Sequence, residues 1–203
     1  SHAKMLQNAD LIFWVGEDLE SFLEKPLNSI AKKAEKIELM EIKGLNVLKF
    51  RERNIFDEHD HDDHDDHGKK EEHDDHDDHD GHEGHAHGEY DPHIWLDPMN
   101  AKVILNEMVE HLIENDAKNA AKYKSNLKKA LKEIDKLNKD VKAELSKSTA
   151  SIVFHDAYQY FEERYDVNIL GAFTVNTDVM PGAEQLAEIR EIIEHDKVTC
   201  VFS

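Results

Sequence analysis

The chain has 203 residues, 39% of them hydrophobic, with a net charge of −20 and 15 histidines. That length allows one sizeable core or two small lobes. The negative charge excludes nucleic acid and anionic lipid surfaces as partners, because both need a basic face, and it directs attention to cations.

Met5 to Asp10 reads as the end of a helix, and Leu11-Ile12-Phe13-Trp14-Val15-Gly16 as a short buried strand. Glu17 to Ala34 carries Leu19, Phe22, Leu23, Leu27 and Ile30 at mostly helical spacing, and Pro26 is expected to break or restart that helix. Ile37 to Ile42 fits a short strand or a turn.

Residues 57–89 are different in kind. They hold 16 acidic residues and two lysines, a local charge of −14, which leaves −6 for the rest of the chain. No large apolar residue interrupts the run, so it cannot offset its ordering entropy and is predicted to be a disordered loop. Its histidines are His59, His61, His64, His67, His73, His76, His79, His82, His85 and His87, mostly spaced by three. Neutral imidazole is a good zinc ligand, and carboxylates add oxygen donors. Such a segment offers many overlapping low-affinity metal sites, each weakened by the need to order the chain. Imidazole disfavours Ca²⁺ and Mg²⁺, whereas Cu²⁺ and Ni²⁺ also bind such donors.

Order is predicted to return at Tyr90-Asp91-Pro92-His93-Ile94-Trp95-Leu96-Asp97-Pro98. Asp97 is a good N-cap and Pro98 suits the first helical position, opening a helix to about Glu114. A second, long helix is predicted from about 117 to 147. Its apolar stripe runs through Tyr123, Leu127, Leu131, Ile134, Leu137, Val141 and Leu145. The stripe fits a coiled-coil segment or a rigid strut along or between two lobes. Ser151 to Phe154 reads as a strand ending at His155, Tyr160 to Tyr165 as a short helix, and Ile169 to Phe173 as another strand. Pro181-Gly182 opens a further helix, and Val198 to Ser203 reads as a buried strand. Strands alternating with helices predict an α/β class with mainly parallel sheets.

Two histidines outside the loop stand at informative places. His93, taken alone, reads as a packed core histidine rather than a ligand. His155 lies at a strand tip, where α/β sheets bind ligands, and alone it supports ligand and structural readings alike. His2, His111 and His195 read as surface histidines, and His195 suits a helix C-terminus. Cys200 is the one cysteine and has no partner within the sequence. No run of 18 apolar residues predicts a membrane span.

The segments Ala9 to Gly16, Pro92 to Pro98, Val153 to Phe161 (Val-Phe-His-Asp-Ala-Tyr-Gln-Tyr-Phe) and Thr199 to Phe202 closely resemble the zinc-specific solute-binding proteins of ABC importers. These are the ZnuA type of the metal-binding cluster A-I group. The order, the spacing and the acidic histidine-rich loop just before His-x-Trp-Leu all agree, and the resemblance covers essentially the whole chain.

The resemblance implies two α/β lobes joined by one long helix, with metal held between them. The implied division is an N-terminal lobe over 1–116, including the loop 57–89, a connecting helix over 117–147, and a C-terminal lobe over 148–203. It implies that His93 and His155 each ligate Zn²⁺ through one ring nitrogen. It also implies a third histidine upstream of residue 1, an acidic or water ligand, and a partner for Cys200 nearer the C-terminus of a complete chain. The chain is therefore expected to be a fragment lacking both ends, a signal peptide having gone with the first.

The implied work is zinc capture in the periplasm by a monomer that docks on a membrane permease. It is not catalysis, and there is no nucleic-acid partner and no direct membrane insertion. Histidine protonation is expected to release metal as pH falls below about 6. Alternatives are a zinc buffer or metallochaperone acting through the loop, and a manganese-binding relative of the same fold. A metal-dependent hydrolase would use Asp156 beside His155, but no His-Glu-x-x-His signature is present.

Overall fold

Apolar runs closed by turns become parallel strands here, and the periodic segments become the helices between them. The computed structural model describes residues 1–51, 89–145, 150–174, 181–196, 198 and 200–202. The histidine-rich insert predicted over 57–89 lies outside the described residues except for Glu89, as do residues 146 and 147 of the predicted long helix.

Helix α1 (His2–Asn8) leads into strand β1 (Leu11–Trp14), helix α2 (Glu17–Ser29) and strand β2 (Glu35–Glu38), and β1 and β2 pair in parallel. Leu27, Ala31 and Ala34 are buried beneath them against Ile12 and Trp14. The expected break in α2 falls at Glu20 (φ −125°, ψ 41°), not at Pro26, which the helix contains. At that kink the Glu20 carboxylate accepts the Val15 N–H at 2.6 Å, so a side-chain bond to the strand end takes the place of regular helix geometry.

Helix α3 (Pro98–Asn115) begins as its sequence demands. The Asp97 side chain accepts the Met99 N–H at 2.8 Å, and Pro98 occupies the first turn. After a 3₁₀ turn at Ala117–Asn119 the chain reverses into α4 (Ala120–Glu144). Its 25 residues span about 38 Å at ~1.5 Å each. The helix is long, as predicted. It returns antiparallel along α3, with the Lys102 ammonium 2.6 Å from Asp135. The narrow stripe suffices for that packing, and no α4 residue is fully buried.

The second sheet contains β3 (Ser151–His155), β4 (Ile169–Thr174) and β5 (Cys200–Phe202), in the order β4-β3-β5 and all parallel. Helix α5 (Gln159–Tyr165) crosses from β3 to β4, and α6 (Ala183–His195) from β4 to β5. The α5 turn closes on Asp166, whose left-handed φ of 54° ends the helix. Strand β5 was expected to be buried, but its residues are exposed, including Val201 and Phe202. Among the described residues β5 pairs with β3, and among them no helix is long and apolar enough to cross a membrane.

Helix α5 does not confine itself to its own sheet. Tyr160, 1% exposed, joins Ile42, Ile94 and Ile104 in a core cluster built from the first half of the chain.

Candidate metal centre

The crossovers around β3 create the site. β3 is the central strand, with β4 on one side and β5 on the other. Open α/β sheets bind ligands outside the carboxyl ends of their strands. His155 is the last residue of β3.

His93 reaches the same place from another direction. The chain leaves the insert through an antiparallel stem, in which Phe50 N–H donates to Glu89 O at 3.1 Å and Asp91 N–H to Leu48 O at 2.8 Å. Pro92 has no N–H, so pairing stops there. The Asp91 carboxylate then folds onto its own chain. Its Oδ1 accepts the His93 backbone N–H at 2.9 Å and lies 2.6 Å from His93 Nδ1. That is an Asx turn extended to the ring. Nδ1 is thereby engaged, and Nε2 is left for other chemistry.

The two imidazoles meet. The ring centres of His93 and His155 are 5.2 Å apart and inclined at 68°. Two imidazoles on one tetrahedral zinc, each about 2.0–2.1 Å from the ion, hold their ring centres about 5 Å apart. His93 is buried at 7% exposure, and Trp95 flanks it at 5.5 Å. The sequence preference for a packed core histidine is therefore right about burial, while the ring also faces a second imidazole.

Charged groups surround the pair. Asp156, 2% exposed, extends the β3–β4 pairing by donating its N–H to Thr174 O at 3.0 Å. Burial pushes its carboxyl up to about 6, and the opposing Arg51 guanidinium, 3.4 Å away, does not cancel that effect. Arg51 is closer to Glu162, at 2.6 and 3.1 Å. Burial raises Glu162 too, with Arg51 opposing. Arg164 grips the buried Asp97 with two bonds of 2.8 and 2.5 Å. Asn100 ties Asn46 and Ile94 together through their backbones. The α3 N-terminus, α5 and the insert stem are thus held as one polar scaffold.

Asp91, Tyr160, Arg51 and Arg164 escaped sequence reasoning. The Asp-Pro-His turn was a usable signal for Asp91; the other three act through partners far along the chain.

His111 lies elsewhere. Among the described residues, the one grouping of three or more metal-type donors is Glu35, His111 and Glu114. His111 Nδ1 is 2.8 Å from Glu35, Nε2 is 3.4 Å from Glu107, and Asn115 donates to Glu35 at 2.8 Å. This is a partly exposed polar network at the far end of α3. The strand-tip site brings together two imidazoles, His93 and His155. His195, at the end of α6, is exposed and 3.1 Å from Asp196. The ten insert histidines lie outside the described residues.

Parallel sheets, a long helix between them in the chain and a buried histidine pair at one strand tip make up the architecture. The crystal structure of ZnuA has the same fold, with a TM-score of 0.73 over 98% of this chain and 65% of that one, at 22% identity. The chain belongs to the ZnuA family, whose model, described as zinc-uptake complex component A, periplasmic, matches residues 1–203. It is 45% identical to the high-affinity zinc uptake system protein ZnuA of Brucella abortus (strain 2308), covering 100% of this chain and 64% of that protein. It is 35% identical to the ZnuA of Yersinia pestis, covering 62% of that protein. The chain thus spans just under two thirds of the length of these relatives.

Proposed function

We propose that the complete protein captures Zn²⁺ in the periplasm and delivers it to the membrane permease of an ABC importer, with the ion held by His93 and His155. The observation that carries this reading is the 5.2 Å approach of two imidazoles from distant parts of the chain. The family and the names of its zinc-uptake relatives support the cargo and the compartment. The zinc ion is cargo here, not a catalytic group, and neutral nitrogen donors at low coordination number suit it better than Mn²⁺. Asp91 sets the His93 ring so that Nε2 serves the ion. Further donors come from parts of the complete protein outside this chain.

The lobes are residues 1–116 and 148–203, with 117–147 connecting them. The insert over 57–89 gathers zinc weakly. Its stem residues Lys49 and Tyr90 pair antiparallel, which roots it three residues from His93 and supports a role in raising local metal concentration.

Zinc titration of the full-length protein against a competing chelator tests this. His93→Ala and His155→Ala are each expected to weaken the tightest site more than about 100-fold, beyond the 10–100-fold typical of second-shell losses. Deleting residues 57–88 is expected to lower stoichiometry and leave the tightest site intact. The opposite pattern, with tight binding lost on deletion and kept in both histidine variants, would make the protein a loop-based zinc buffer.

A further inference from the structure

Tyr160 sits on α5, five residues beyond His155, yet its hydroxyl acts in the insert stem. Residues 48 and 91 face each other in an antiparallel ladder whose neighbouring pair is Lys49 and Tyr90. Such a pair exchanges two backbone bonds. One is present, from Asp91 N–H to Leu48 O at 2.8 Å. In place of the other stands the Tyr160 hydroxyl. It accepts the Leu48 N–H at 3.1 Å and donates to Asp91 O at 2.6 Å. The hydroxyl is a wedge that relays the missing bond and spreads the stem at residue 91.

Residue 91 is where spreading matters, because its carboxylate holds both the backbone and the ring of His93. Pro92 intervenes and is itself fully buried, so a shift of the Asp91 backbone passes to His93 with little slack. The Tyr160 ring is locked in the core with Ile42, Ile94 and Ile104, so the wedge cannot retreat. The segment that supplies His155 thereby sets the angle of the group that orients His93.

We propose that Tyr160 is a positioning residue for the metal centre, fixing the His93 imidazole through the Asp91 backbone so that its spacing to His155 suits one ion. This rests on the assignment of His93 and His155 as ligands. Its generality is physical: a carboxylate that orients a ligating histidine works only as well as its own backbone is held.

The test uses Tyr160→Phe in the full-length protein. Phenylalanine keeps the core packing, and without the wedge Leu48 and Asp91 can close to a direct backbone bond. The metal-free variant is therefore expected to keep its circular dichroism and to unfold near the parent temperature. Its Zn²⁺ affinity is expected to fall roughly 10- to 100-fold. The visible absorption bands of the Co²⁺-loaded protein are expected to shift, which a purely structural role would not cause.

Asp91→Asn supplies the second arm. If Tyr160 acts through Asp91, the double variant binds Zn²⁺ no more than about twofold worse than Asp91→Asn alone, since residues in one network are non-additive. Binding by Tyr160→Phe within twofold of the parent overturns the proposal. So do losses that multiply in the double variant, or a Tyr160→Phe protein that no longer folds, which would make the hydroxyl a folding determinant. His93→Ala separates the two levels. If it keeps tight zinc, the ligand assignment itself falls. If it loses zinc while Tyr160→Phe does not, only the positioning role falls.

Discussion

Each end of α3 lies beside a histidine whose Nδ1 faces a carboxylate oxygen. At the N-terminal end the pair is His93 and Asp91, 2.6 Å apart, and at the C-terminal end it is His111 and Glu35, 2.8 Å apart. The distances barely differ, but the surroundings do. His93 and Asp91 are both buried, and the next group across is another imidazole. Around His111 the next groups are carboxylates, and Glu35 is exposed. A histidine–carboxylate contact alone therefore does not tell the two places apart; burial and the second imidazole do.

The largest expected effect breaks this comparison if it fails. In the full-length protein His93→Ala should weaken the tightest zinc site more than about 100-fold, while His111→Ala should change it less than about twofold, as expected for a surface contact. Equal losses in a chelator competition would show that the far end of α3 also holds the ion.

Next comes the scaffold at the N-terminal end. Asp97 both caps α3 and receives Arg164. Asp97→Ala should destabilise the protein by about 2–4 kcal/mol, combining the loss of a cap with a stranded guanidinium. Urea unfolding reads this directly, and a change under 1 kcal/mol would mean that the scaffold adds little.

A third effect depends on pH. The Asp156 carboxyl is raised from its ordinary 3.8 to about 6 by burial. The folded protein therefore holds that proton more tightly than the unfolded chain does. The associated stability is fully present below about pH 4 and is lost as pH rises through about 6. In metal-free protein, Asp156→Asn should gain about 1–3 kcal/mol on the parent between pH 4 and pH 7. A gap that stays constant, or narrows, across that range would show that Arg51 outweighs burial. Smallest is Glu35→Gln, which alters an exposed carboxylate contacting His111 and Asn115 and should shift stability by no more than about 0.5 kcal/mol.

Local chemistry was legible and distant chemistry was not. The start of α3 follows from Asp97-Pro98 because a cap and a first-turn proline act within one helical turn. The second duty of Asp97, toward Arg164, crosses 67 positions and leaves no local trace. Pro26 was a reasonable place to expect a break, yet the bond from Val15 N–H to Glu20 moved it upstream. His93 and His155 became a pair in the sequence only through family resemblance, because neither carries a sign pointing to the other. Tyr160 was invisible for another reason. Its partners are backbone atoms of residues 48 and 91, which almost any residue there would offer, proline at 48 excepted. The run of alternating strands and helices gave the parallel class, but the expected burial of β5 presumed surface cover that no described residue provides.

Helix α5 follows the first strand of the second sheet, yet Tyr160, Glu162, Glu163 and Arg164 all bond to residues between 46 and 97. Strand β3, just before this helix, is the central strand of the second sheet, so the stretch from 151 to 164 is bound into both halves of the chain at once. In hybrids between family members, residues 46–97 and 151–164 should come from one parent. A splice at 150 pairs α5 with a foreign set of charges, and one after 164 divides the β4-β3-β5 sheet.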